Sequence, residues 1–296
     1  MDDENNYHGR RTAEELVEAI DASYAAEDRR KPPKYIKPST IGAECGRAPQ
    51  LDFYWASPVE AKPGRIIRLF GTGNRIETEL VGDLKRIGWE VIDKDPNDAR
   101  KQISLTALKG HLFGYVDGIG RDREVSGEWC ILEMKSHKAE SFRKVVKRGV
   151  AAVKIEHYAQ LQLYLHEFKL KLGLYVAKNK DSDEIHTEWI PYDESYCTRL
   201  LEKGMVYVDK QTLLPKISQK ADYFICRFCP HQGVCHEGRQ PQRSCRTCEH
   251  SKPVDGGVWA CTKFNCLLTD KELVKVGCKE YRVAELFGVA SNEEDS

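Results

Sequence analysis

Two short charged patterns near the middle of the chain carry residue types suited to chemistry on a phosphate ester. The first is His111-Leu-Phe-Gly-Tyr-Val-Asp117-Gly118 and the second is Glu128-Trp-Cys-Ile-Leu-Glu133-Met-Lys135. Both alternate apolar and polar residues and read as strands. A polar connection containing Gly120 and Gly127 joins them, so the pair is expected to form a hairpin. A strand's period of two puts Glu133 and Lys135 on one face, and pairing brings Asp117 to the same end. Two carboxylates can hold a hard divalent cation through oxygen. Such a cation polarises a phosphoryl group and activates water, while a neighbouring lysine orients that water or offsets developing charge. The chemistry expected of this cluster is metal-assisted phosphodiester hydrolysis.

The segment Tyr158–Phe168 has helical composition, and its Gln160 and Tyr164, four residues apart, share a face. Asp117, then Glu133-x-Lys135, then Gln160-x-x-x-Tyr164, ordered on strand, strand and helix, resemble the PD-(D/E)XK nuclease superfamily in its RecB-like branch. An isolated Glu-x-Lys carries little information; the ordered set in its structural context carries the resemblance. It covers about residues 37 to 236. It implies cleavage of DNA with Mg²⁺ or Mn²⁺, exonucleolytic on single strands or duplex ends. The 5′-to-3′ direction is favoured, in recombination, replication or CRISPR adaptation, with a recombination or replication protein as a possible partner. Gly73-Asn-Arg-Ile-Glu77 is similar to the branch's first motif, which makes Glu77 an extra metal ligand or a support for one; Glu79 and Asp83 are nearby rivals. His111 is expected near the metal, because the branch often has a polar residue ahead of this aspartate. Two alternatives stand beside a nuclease. A nucleic-acid-binding scaffold that has lost turnover would not be expected to keep the Asp, Glu and Lys together. A redox carrier has no use for them.

With 46 basic and 46 acidic residues the formal net charge is zero, so affinity for nucleic acid has to be local. The densest basic run is Lys138 to Lys154, where Arg143, Lys144, Lys147 and Arg148 form like-charged i,i+4 pairs that destabilise an isolated helix. Facing a phosphate backbone would offset that cost, so these four are the candidate DNA contacts. No apolar run approaches the ~20 residues of a membrane span. The acidic start, Met1-Asp-Asp-Glu-Asn-Asn, is unlike a signal peptide, and a cytoplasmic protein (bacterial, or in a phage-infected host) is expected.

In that compartment the 11 cysteines read as metal or cluster ligands rather than disulfides. Eight lie from Cys226 onward. Cys226-x-x-Cys229-Pro230-x-x-x-x-Cys235 supplies three ligands of a four-ligand site. The resemblance implies the fourth: in RecB-like nucleases with a [4Fe–4S] cluster, an early cysteine at the position of Cys45 joins three late ones and clamps the domain's ends. By count alone four thiolates suit zinc as well as iron–sulfur; the resemblance favours the cluster. Closing a loop of about 180 residues constrains the unfolded chain, which makes a structural role the first expectation. A second set, Cys245, Cys248, Cys261 and Cys278, suits a tetrahedral zinc site, with Cys266 competing as fourth ligand. Cys130 and Cys197 read as buried apolar residues.

The elements needed to position these groups follow from periodicity. Helices are expected over Thr12–Ala26, residues 65–88 and about Asp193–Thr212. Strands are expected at Gly88–Asp93, Gln102–Thr106, Leu172–Ala177 and Ile185–Ile190, and Ser39 is expected to cap a helical turn that presents Cys45. The alternation predicts an α/β fold, a central mixed sheet flanked by helices like the restriction-endonuclease core, with a small cysteine-rich carboxy-terminal module. The expected divisions are a charged helical leader (1–34), the nuclease domain (35–240), the zinc module (241–287) and an acidic disordered tail (288–296).

Overall fold

A long amphipathic helix and a half-apolar one pack on opposite faces of one twisted sheet, in a computed structural model that describes residues 10–125, 127–209, 212–269 and 271–288. Residues 1–9 of the expected leader and 289–296 of the expected tail lie outside the described residues. The sheet contains β1 (Trp89–Ile92), β4 (Gly118–Asp122), β5 (Cys130–His137), β6 (Leu172–Asn179) and β7 (Ile185–Pro191), in the order β1-β4-β5-β6-β7. Only β5 and β6 run parallel; the other neighbours are antiparallel, so the sheet is mixed. A parallel pair needs a long crossover. Here it carries α5 (Ala139–Arg148), α6 (Val150–Val153) and α7 (Ile155–Phe168).

The alternation of β5 and β6 decides what each face holds. Cys130, Leu132, Met134, Leu174 and Val176 point one way, against Ile76, Leu80, Val81 and Leu84 of α4 (Gly64–Arg86). Ile131, Tyr175 and Ala177 point the other way, against Ala159, Leu161 and Tyr164 of α7. The second face carries the polar residues too, since Glu133, Lys135 and His137 continue its period.

The expected central hairpin is corrected. Strand β3 (Leu112–Tyr115) pairs with β2 (Ser104–Ala107) in a separate ribbon, and the partner of the Glu133 strand is β4. Gly120, expected in the connection, lies inside β4, opposite Cys130. The glycine suits the place: a Cβ there would come within 2.9 Å of the Leu132 side chain. Ser39 is no cap either; it lies inside α2 (Pro38–Ile41), whose N-cap is Lys37 with no side-chain bond. The remaining expected helices occur as α1 (Ala13–Ala26, capped by Thr12) and α8 (Glu194–Asp209). Arg143, Lys144, Lys147 and Arg148 are exposed on α5, whose Phe142 and Val145 are buried. Lys144 pairs with Glu140 at 2.7 Å. Cys130 and Cys197 are buried.

The cysteine-rich module is sewn into the main core. Its strands β8 (Ser251–Val254), β9 (Val258–Cys261) and β10 (Cys266–Leu267) form a small sheet, and Trp259 of β9 belongs to the same core cluster as Phe53, Tyr54 and Leu112. Gly257 sits against Gly110: its N–H donates to Lys109 O at 3.0 Å, and a Cβ at Gly257 would strike the Gly110 carbonyl. Arg246, 3% exposed, fixes the junction. Its guanidinium donates to the carbonyls of Phe53 (2.8 Å), Lys34 (2.9 Å) and Pro33 (3.3 Å), and lies 4.2 Å from the Trp55 ring and 4.9 Å from the Trp259 ring. Burial lowers its pKa to about 9, so the aromatic faces and carbonyls are what keep a charge in that place. Arg246→Ala strands the carbonyls of Phe53 and Lys34, while that of Pro33 keeps the Trp55 Nε1–H at 2.7 Å, and is expected to cost about 3 kcal/mol or more of stability. Urea unfolding measures this; a loss below about 1 kcal/mol would show the junction held by apolar packing alone.

Candidate active site

The site forms where β4 ends early. The register Gly118↔Leu132 places Asp117 one step before β4, opposite Glu133, so the edge of β5 beyond that point is not covered by β4. Asp117 turns onto this edge: its Oδ2 accepts from the Met134 backbone N–H at 2.8 Å and from Lys135 Nζ at 3.3 Å. Lys135 Nζ also lies 2.5 Å from Glu133 Oε1 and donates to Met134 O at 3.0 Å. The Lys135 ammonium is thus the close, charge-assisted partner of Glu133 Oε1. Helix α7 closes the cluster from above. Gln160 Nε2 donates to Glu133 Oε2 (3.2 Å) and reaches Tyr164 OH (3.1 Å), and Tyr164 OH donates to Tyr115 O at 2.6 Å.

Helix α4 adds a third carboxylate. Burial raises the pKa of Glu77, repulsion from Asp117 raises it further, and Lys135 pulls it back, which puts Glu77 within electrostatic reach of both. Its rivals are engaged elsewhere: Glu79 pairs with Lys178 at 2.6 Å and Asp83 with Arg86 at 2.8 Å. Glu133 is fully buried, and burial pushes its carboxyl up while the Lys135 ammonium pulls it back toward the ionised form. Burial alone would lower Lys135; Glu133, Asp117 and Glu77 together hold it well above the ordinary lysine value.

His111 is not part of this cluster, which corrects its expected place beside the metal. Its Nε2 donates to Val254 O at 2.8 Å, and its ring meets Phe53 edge-on at 5.5 Å, inside the junction with the cysteine-rich module. The polarity that suggested a ligand serves the packing of two chain segments.

A second buried polar group adjoins the site and was missed in the sequence. Tyr175 OH lies 2.8 Å from both His137 Nε2 and His157 Nδ1. The phenol can donate to one neutral ring and accept N–H from the other. Burial, reinforced by nearby lysines, lowers the two rings to about 4 and about 3. The signal was available: His137 is two residues beyond Lys135 on the same strand, and His157 is three before Gln160 on the same helix.

The late cysteines gather in two places. Cys45, Cys226, Cys229 and Cys235 line one cavity, with Arg47 and His236 beside them. Cys245, Cys248, Cys261 and Cys278 line another, while Cys266 is exposed on β10 opposite Cys261. Among the described residues, no three His, Cys, Asp or Glu side chains stand in a group that could hold a metal ion as placed. In the carboxylate cluster a cation does fit by charge and donor type: the Lys135 ammonium already stands between the carboxylates of Asp117 and Glu133, a place for positive charge lined by hard oxygens.

The ion pair makes a stability prediction. Lys135→Ala leaves Glu133 buried among like charges and is expected to cost about 3–5 kcal/mol, whereas Glu133→Gln combined with Lys135→Met recovers most of that. Urea unfolding of the two variants checks this, and a double variant no more stable than Lys135→Ala would mean the charges are not what the site balances.

No protein-family model and no curated protein sequence matches the chain. It is similar to several solved structures. An alkaline exonuclease, LHK-Exo, from Laribacter hongkongensis is 13% identical, with 65% of this chain and 91% of that chain covered and a TM-score of 0.40. For LHK-Exo in complex with dAMP the values are 13%, 63%, 90% and 0.41. For SSO0001 they are 18%, 74%, 96% and 0.41. Likeness at this level assigns neither a family nor an activity to the chain.

Proposed function

We propose that this chain is a divalent-metal-dependent DNA nuclease of the RecB-like type, working exonucleolytically on single strands or duplex ends. The observation that carries this is the pairing of two carboxylates, Asp117 and Glu133, with the half-buried Lys135 ammonium at an uncovered strand edge, with Glu77 of α4 within electrostatic reach. Asp117 and Glu133, with Glu77 behind them, would hold Mg²⁺ or Mn²⁺ through oxygen. The cation supplies Lewis acidity toward a scissile phosphate and eases loss of a proton from attacking water. The side chains do the rest. Gln160 fixes Glu133 by holding Oε2, which leaves Oε1 directed at the ammonium. Tyr164 fixes Gln160 and ties the helix to the backbone of Tyr115. Lys135 would offset charge that develops on the phosphate and orient the attacking water. The 5′-to-3′ direction rests on the family resemblance alone, as do a role in recombination, replication or repair and a protein partner in that process; a cytoplasmic setting is proposed from the acidic, polar start of the sequence. No helix among the described residues is long and apolar enough to cross a membrane. The exposed cations of α5 are proposed as additional phosphate contacts.

The two cysteine sets support a second element of the proposal. Cys45 with Cys226, Cys229 and Cys235 is proposed to hold a [4Fe–4S] cluster that ties residues far apart in the chain. Cys245, Cys248, Cys261 and Cys278 are proposed to hold zinc locally.

Two measurements test these assignments. End-labelled single- and double-stranded DNA incubated with Mg²⁺ or Mn²⁺ is expected to be shortened from an end by the native protein. Asp117→Ala or Glu133→Gln is expected to lower the rate by about 10²-fold or more. Wild-type rates in either variant would refute the site. Metal analysis of anaerobically purified protein is expected to give iron that Cys45→Ser removes and zinc that Cys248→Ser removes. Zinc in both sets would replace the cluster, and iron retained by Cys45→Ser would sink the end-to-end clamp.

A further inference from the structure

The segment Lys31-Pro-Pro-Lys34-Tyr35-Ile-Lys37 runs alongside β3. The Ile36 N–H donates to His111 O (2.8 Å), and Ile36 O accepts from Phe113 N–H (3.0 Å). With Ile36 pinned, Lys31, Lys34 and Lys37 recur every third residue and all are exposed. The chain bends at Lys34 and Tyr35, and all three ammoniums stay on its solvent side. None of the three forms an ion pair among the described residues.

Two concavities meet along this edge and share Pro33, Lys34, Tyr35 and Lys37. The smaller, about 330 Å³, reaches the candidate active site, for Gln160 and Tyr164 form part of its wall. The larger, about 750 Å³, opens toward the loop that carries Arg227, Phe228 and Cys229. Aromatic rings line the smaller one, and Tyr35 belongs to the walls of both. Tyr35 lies 5.3 Å from Phe113, and Phe113 lies 5.1 Å from Tyr115, measured between ring centres. Tyr115 is 49% exposed, and further along Phe228 is 69% exposed. Lys34 Nζ lies over one face of the Tyr35 ring at 4.8 Å, and large rings left as open to water as Tyr115 are poor surface design unless something covers them.

We propose that this groove is the path of a single strand of DNA leading to the carboxylate site, with bases stacked on Tyr115, Phe113 and Tyr35 and phosphates held by Lys31, Lys34 and Lys37. The inference deepens the nuclease proposal and rests on it for the identity of the phosphate ester. Stacking on aromatic rings needs unstacked bases, which a single strand offers and a duplex does not. The lysines supply the sequence-independent attraction that the neutral chain as a whole lacks.

Binding is tested on the full-length protein in EDTA, so that it is independent of cleavage, by fluorescence anisotropy of a labelled 20-nucleotide oligo(dT) and of a mixed-sequence duplex. Tyr115→Ala is expected to weaken single-strand binding about tenfold, leave duplex binding within about twofold, and be rescued by Tyr115→Phe. The triple change of Lys31, Lys34 and Lys37 to Gln is expected to reduce the salt slope of single-strand binding by about 2. Equal losses for single strand and duplex, an unchanged salt slope, or no binding of oligo(dT) by the native protein would each overturn the proposal. The outcomes separate from those of the cleavage assay. Strand binding with this dependence but no cleavage would leave the groove standing and remove the nuclease reading; cleavage with binding indifferent to Tyr115 and the lysines would do the opposite.

Discussion

A carboxylate with no access to water, Glu133, sets the terms for this molecule. An ionised carboxylate in that position is tolerable only if a cation and hydrogen-bond donors surround it. The cation has to come from the same strand face, which Lys135 provides at the next position of the period. A donor has to come from the layer above, which requires α7 to lie over β5 with Gln160 downward. That in turn needs the parallel pairing of β5 with β6, since the crossover between those two strands is what carries α7 across the face. Asp117 completes the arrangement by leaving its strand register and taking the Met134 N–H. The sheet order, the crossover and the early end of β4 are thus tied to one buried charge. The same arrangement gathers carboxylate oxygens of Asp117 and Glu133 around one positive charge.

The apolar counterpart is the junction at Arg246. There a guanidinium between Cys245 and Cys248 is enclosed by Trp55, Trp259 and Phe53 and donates to the carbonyls of Pro33 and Lys34. The cysteine-rich module therefore does more than close a metal site of its own. It holds the back of the proline-rich segment whose exposed edge forms the proposed strand path. Because the same few residues touch the knuckle, the core and that segment, disorder in the module would be felt at the groove before it was felt at the carboxylates.

Much of the candidate site was legible from residue types and two periodicities. Glu133 with Lys135 follows from the strand period, Gln160 with Tyr164 from the helix period, and the mixed sheet from the alternation of elements. These are local properties: the pleat and the helical turn place neighbours without reference to the rest of the fold. Glu77 was singled out by motif, but its selection over Glu79 and Asp83 required knowing where Lys178 and Arg86 lie.

Other features depended on contacts between distant segments, which no local period encodes. His111 was expected near the metal because the resembled branch often has a polar residue ahead of this aspartate; its partner, Val254 O, is 143 residues away. The hairpin expectation failed because two strand-like stretches adjacent in sequence need not pair. Strand β3 found β2, and the short β4, whose glycines lower strand propensity, became the true neighbour of β5. Cys45 reaches the cavity of Cys226, Cys229 and Cys235 only in the folded chain. The sequence by itself determined which residues share a face, because geometry over a few residues is set by the backbone. The tertiary structure alone decided which faces meet, because that choice is made by burial of charge and apolar surface across the whole chain.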